Sequence, residues 1–93
     1  MLRALEETEN ALVDLGRQQL RRDLLSESAQ ASEEATRLAR QRVEEGAADF
    51  LTLLDAERTL LEAQDRLARS KTDTATALVA LHKALGGGWK AMD

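Results

Sequence analysis

The chain has 93 residues, a formal charge of −4, no cysteine, no proline and two aromatic residues, Phe50 and Trp89, which leaves room for one small domain at most. Leucine occurs 17 times and alanine 16, while isoleucine and tyrosine are absent and valine occurs three times, so the residues that strands favour are scarce and a sheet protein is excluded. Without cysteine there is no disulfide, no thiolate metal site and no cysteine nucleophile, and 13 basic against 17 acidic residues give no basic field for nucleic acid or anionic lipid.

The first predicted element is one long amphipathic helix over about 2–45, made of good helix formers, with Leu2, Leu5, Leu12, Leu15, Leu24, Leu38 and Val43 as its apolar positions. Gly16 and the serines Ser26, Ser28 and Ser32 are its weakest points. A turn at 46–49 follows. Gly46 can take the left-handed conformation that ends a helix, and Asp49 can accept hydrogen bonds from the free amides that open the next one.

The second predicted helix, about 50–85, has the clearer period. Leu53, Leu60, Leu67, Thr74 and Leu81 recur every seven residues, with Ala56, Ala63, Ala77 and Leu78 between them, which is the pattern of a coiled-coil seam. Glu33 with Arg37, Glu62 with Arg66 and Asp65 with Arg69 are expected as ion pairs one turn apart, each worth about 0.3–0.5 kcal/mol. Gly86-Gly87-Gly88 is expected to end the helix and leave a short tail at 86–93. No apolar run approaches the roughly 20 residues that cross a bilayer, and the residues after Met1 are acidic where a signal sequence would be basic and then apolar.

At about 1.5 Å per residue the two helices are rods of roughly 66 and 54 Å, and folding at Gly46 brings residues whose numbers add to about 94 opposite one another. Ala11-Leu12-Val13-Asp14-Leu15 then faces Ala77-Leu78-Val79-Ala80-Leu81, two near-identical stretches that fit either an internal duplication or the leucine and alanine bias of the chain. The expected fold class is all-α, a long antiparallel helical hairpin forming a coiled coil. A lone hairpin has no enclosed core, and the doublets Leu24-Leu25, Leu53-Leu54 and Leu60-Leu61 exceed what one seam needs, so assembly into a four-helix or larger bundle is expected.

Chemistry-bearing clusters are lacking. His82 is the only imidazole, the carboxylates are helix-surface charges, and the three glycines at 86–88 follow a helix instead of opening one and lack the lysine and hydroxyl of a phosphate loop. Arg17, Arg21 and Arg22 are flanked by Asp14 and Asp23, which dilutes any nucleic-acid patch. Neither catalysis, nor a metal, nor a cofactor is expected.

The segment Arg42-Val43-Glu44-Glu45-Gly46-Ala47-Ala48-Asp49-Phe50-Leu51-Thr52-Leu53-Leu54-Asp55-Ala56-Glu57-Arg58-Thr59-Leu60-Leu61 resembles the periplasmic hairpin turn of the outer membrane efflux channels, the TolC and OprM family. The likeness extends to Ala63-Gln64-Asp65-Arg66-Leu67-Ala68 and to the close Leu78-Val79-Ala80-Leu81-His82-Lys83-Ala84-Leu85-Gly86-Gly87-Gly88-Trp89, which is similar to the ending of many members. Upstream, Leu5-Glu6-Glu7-Thr8-Glu9-Asn10-Ala11-Leu12 is similar to the start of the same long helix.

The resemblance implies a fragment of one protomer of a trimeric duct at the outer membrane and periplasm, matching the C-terminal helical hairpin at the periplasmic mouth. It implies docking to a periplasmic adaptor, delivery by an inner-membrane pump, export of drugs or other solutes, and no membrane insertion by this fragment itself. By position, Gly46, Ala47, Ala48 and Asp49 are the adaptor-facing tip, and Thr52 and Asp55 are pore-entrance positions. In the family, rings of acidic residues narrow the entrance; Asp55 matches one such position and Thr52 stands where the other aspartate is common, so the paired ring would be incomplete here, while Val43 stands where a tyrosine is usual and Glu57 where a glutamine is. Read without the resemblance, Gly46 is a helix terminator, Asp49 an N-cap, Asp55 a carboxylate near the positive end of a helix, and Phe50 a packing residue beneath the turn. The rival reading is a stand-alone coiled-coil module that dimerises without any transport function, and a natural start at Met1 would favour it.

Overall fold

The computed structural model describes residues 2–92, with side chains over 2–86. It contains two α-helices, α1 (Leu2–Glu44) and α2 (Phe50–Met92), and no strand among the described residues. The fold class is all-α, two long helices joined as a hairpin by one turn. Two compact units divide the chain, and both helices contribute to each: a turn unit, Asp23–Arg69, and a terminal unit that joins the stretch up to Arg22 with that from Ser70.

In the turn unit the helices meet along positions spaced alternately three and four apart. These are Leu25, Ala29, Ser32, Thr36, Ala39 and Val43 on α1, and Leu53, Ala56, Leu60, Ala63 and Leu67 on α2, all buried or half-buried. The hydroxyl of Thr36 sets the level of the pair. Its Oγ1 lies 2.8 Å from the carbonyl oxygen of Ser32 on its own helix and 3.2 Å from that of Ala56 across the seam.

The terminal unit repeats the arrangement with Ala4, Thr8, Ala11, Leu15, Gln18 and Arg22 on α1 and Ser70, Thr74, Ala77, Leu81 and Ala84 on α2. Here Thr74 plays the corresponding part, with Oγ1 2.9 Å from the Ser70 carbonyl and 3.3 Å from that of Gln18. In both units the residue numbers of the cross-helix pair add to 92. Leu15 thus stands level with Ala77 and Ala11 with Leu81, a large side chain meeting a small one each time. The two matching stretches therefore face one another through Ala11, Leu15, Ala77 and Leu81, while Leu12, Val13, Leu78 and Val79 are exposed.

The seam of α2 follows the expected residues except Leu78, with Ser70 and Ala84 added. That of α1 does not. Of its seven expected apolar positions only Leu15 and Val43 reach the seam, and Leu2, Leu5, Leu12, Leu24 and Leu38 are exposed. The reason is phase: these leucines do not follow one heptad, whereas the small and polar residues from Ala4 to Val43 do, and such residues let two helices approach closely.

Surface ion pairing also departs from expectation. Asp65 and Arg69 pair at 3.2 Å, but Arg37 takes Glu34 at 2.6 Å, and Glu62 lies 4.0 Å from Arg58. At the far end, α2 runs through to Met92 where the sequence places a stop after Leu85. A glycine ends a helix only by turning left-handed, and among the described residues Gly46 alone has a positive φ; Gly86 stays helical. The side chain of Trp89 and the rest of the expected tail lie outside the described side chains.

Candidate functional site: the hairpin turn

The turn is built by main-chain hydrogen bonds around one left-handed residue. Gly46 has φ 76°, and its N–H donates to the Val43 carbonyl at 3.0 Å. The N–H of Ala47 reaches back to Arg42 at 2.8 Å, and that of Ala48 donates to the same carbonyl at 3.2 Å. Together these are a Schellman cap, which occupies two of the carbonyls α1 would leave open at its end, those of Arg42 and Val43.

Asp49 immediately precedes α2, at its N-cap position, and its main-chain carbonyl accepts from the Thr52 N–H at 3.0 Å. Gly46, Ala47 and Asp49 are exposed and Ala48 is half-buried, so the four tip residues form one contiguous segment, with Val43 half-buried at the end of the seam. Phe50 does not pack beneath the turn. It is 59% exposed, because it falls one place off the seam that continues through Leu53.

Thr52 and Asp55 are both exposed on the first turns of α2. Asp55 borders an open groove of about 230 Å³ lined also by Ser32, Ala35, Ala56 and Thr59, so the carboxylate lies beside small side chains and remains solvated. Elsewhere in the turn unit Arg40 reaches Glu57 at 3.5 Å between the helices, a pair no spacing rule within one helix could have found. On α1, the hydrogen bond from Arg37 and then its charge hold the Glu34 carboxyl below the usual carboxylate range. In the terminal unit His82 is exposed. Among the described residues no group of three histidines or carboxylates could hold a metal ion, and no helix is long and apolar enough to cross a membrane.

Comparison with known proteins gives this geometry a context. The family described as outer membrane efflux protein matches residues 1–87. The chain is 41% identical over 87 residues to the pyoverdine export outer membrane protein OpmQ of Pseudomonas putida, covering 94% of this chain and 18% of that protein. It is 44% identical over 71 residues to the probable efflux pump outer membrane protein TtgC of the same species, covering 76% and 14%. To nodulation protein T of Rhizobium leguminosarum bv. trifolii it is 34% identical over 89 residues, covering 96% and 19%. The chain thus spans less than a fifth of the length of these relatives. No solved structure matches.

Proposed function

We propose, on the premise that this chain belongs to the outer membrane efflux protein family, that it is a hairpin of the periplasmic tunnel wall in a trimeric efflux channel. The parent channel sits in the outer membrane and periplasm and exports drugs or other solutes, passing them without chemistry. Gly46, Ala47, Ala48 and Asp49 form the end that meets a periplasmic adaptor fed by an inner-membrane pump, and Thr52 and Asp55 stand at the entrance.

The observation that carries this reading is the second set of apolar side chains. Leu5, Leu12, Leu24, Leu38, Leu54, Leu61, Leu78 and Leu85 are all at least 44% exposed although none belongs to the α1–α2 seam. Two helices joined only to each other have no use for apolar side chains outside their seam, whereas a wall element needs them for its neighbours. The same surplus would close a four-helix bundle if the 93-residue chain were alone in solution.

Docking is tested at Ala47, whose side chain is exposed on the turn. In the full-length parent, Ala47→Glu should abolish drug export and capture of the adaptor while the trimer still assembles. Export at the parental level would remove the tip from the docking surface.

A further inference from the structure

Within the terminal unit the seam is interrupted by a polar layer. The carbonyls of Gln18 on α1 and Ser70 on α2 converge on one hydroxyl, that of Thr74, at 3.3 and 2.9 Å. Ser70 is 1% exposed, the most deeply buried of the described side chains, and its Oγ has no hydrogen-bond partner. Gln18 Oε1 is likewise shielded from solvent and unpartnered.

Buried hydroxyl and amide oxygens are rarely left unpaired, because each has given up water for nothing. The single proton of Thr74 Oγ1 is already divided between two carbonyls and cannot serve a third acceptor. Ser70 Oγ–H is a donor and Gln18 Oε1 an acceptor, and one water can accept from the first and donate to the second. By the same register Ser70 stands level with half-buried Arg22, while on the other side of Gln18 and Thr74 the levels of Leu15 with Ala77 and Ala11 with Leu81 carry apolar side chains only.

We propose that Gln18, Ser70 and Thr74 hold a buried water between α1 and α2, and that this hydrated layer is the level at which the two helices of the terminal unit part most readily. A polar layer in an apolar seam specifies pairing at a cost in stability, and water already present there lowers the work of admitting more. The site takes a single small molecule that both donates and accepts hydrogen bonds.

A high-resolution crystal structure of the 93-residue chain tests the first half. Density for one water within hydrogen-bond reach of both Ser70 Oγ and Gln18 Oε1 is expected, and its loss in Ser70→Ala, which adds no bulk. A Ser70 hydroxyl turned to the Arg66 carbonyl four residues back, or bonded directly to Gln18, would overturn it. Amide hydrogen exchange tests the second half. Amides around Gln18 and Ser70 should exchange about tenfold faster than those beside Leu15 and Leu81 in the same unit. Gln18→Met with Ser70→Ala, which replaces the layer by apolar side chains of similar volume, should erase that difference and raise Tm. Uniform exchange in the parent chain, or a lower Tm in the double variant, refutes the claim.

Discussion

Gly46 carries the reversal of the chain on one dihedral angle. A β-carbon there meets no neighbouring atom within 4 Å, so the obstacle to any other L-residue is conformational and not steric crowding. Gly46→Ala should lower stability by about 1–2 kcal/mol in thermal unfolding, and D-alanine at the same site, free of that strain, should not. A second residue-scale prediction concerns Glu34, whose carboxyl is lowered by the Arg37 hydrogen bond and charge. A depressed carboxylate stabilises the folded chain above the unfolded carboxylate range, and that contribution fades as pH falls through the folded value. Arg37→Gln should return the Glu34 titration, followed by NMR, to the ordinary range; an unmoved curve would show that the pair does not form in solution. Gly46 was legible in the sequence because few residues other than glycine turn left-handed. Thr36 and Thr74 were not assigned their part in setting register, since a hydroxyl that meets a carbonyl across the seam leaves no mark in a list of apolar residues.

At the level of the helices, α2 could be read and α1 could not. Leucines in a single heptad phase mark the seam of α2, but α1 turns small and polar residues to its partner and leaves most of its leucines on other faces. The leucines of α1 therefore mark it as a helix without marking which of its faces meets α2. The expected stop at Gly86 failed for a related reason: glycine permits a left-handed stop, yet at Gly46 it is the cap hydrogen bonds that draw the residue there. The seam makes a contrast that unfolding experiments can read. Leu53→Ala, at a buried position, should cost about 2 kcal/mol or more, while Leu61→Ala, 65% exposed, should cost less than about 0.5 kcal/mol when the chain is dilute enough to be monomeric. Ala29 and Ala63, both buried, stand level in the register set by Thr36. Ala63→Leu should force the helices apart there and destabilise by about 1–3 kcal/mol.

For the molecule as a whole, the balance between seam and leftover surface decides its behaviour. In the terminal unit Leu5, Leu12, Leu78 and Leu85 each lie one heptad place beyond the seam, and in an antiparallel pair those equivalent places share a side. The 93-residue chain should therefore associate in sedimentation equilibrium, and Leu12→Ser with Leu78→Ser should shift it towards monomer without loss of helix content. A monomeric parent chain would show that the outward leucines are tolerated singly. The all-α class, the single turn and the efflux-protein family were legible because they depend on composition, a glycine at one place and a specific turn motif. Which leucines face outward required coordinates, since the answer depends on the phase between two helices and not on either alone.

The three central side chains of the Schellman turn are a hydrogen atom and two methyl groups, and the exposed carboxylates of Glu45 and Asp49 flank them. Whatever touches this end of the molecule meets peptide groups and shape, with little side-chain chemistry to tell one such hairpin from another. If the turn is a docking point, discrimination between rival partners must then rest on those two carboxylates and on the flanks of α1 and α2 behind them, and the turn itself is the least individual part of the molecule.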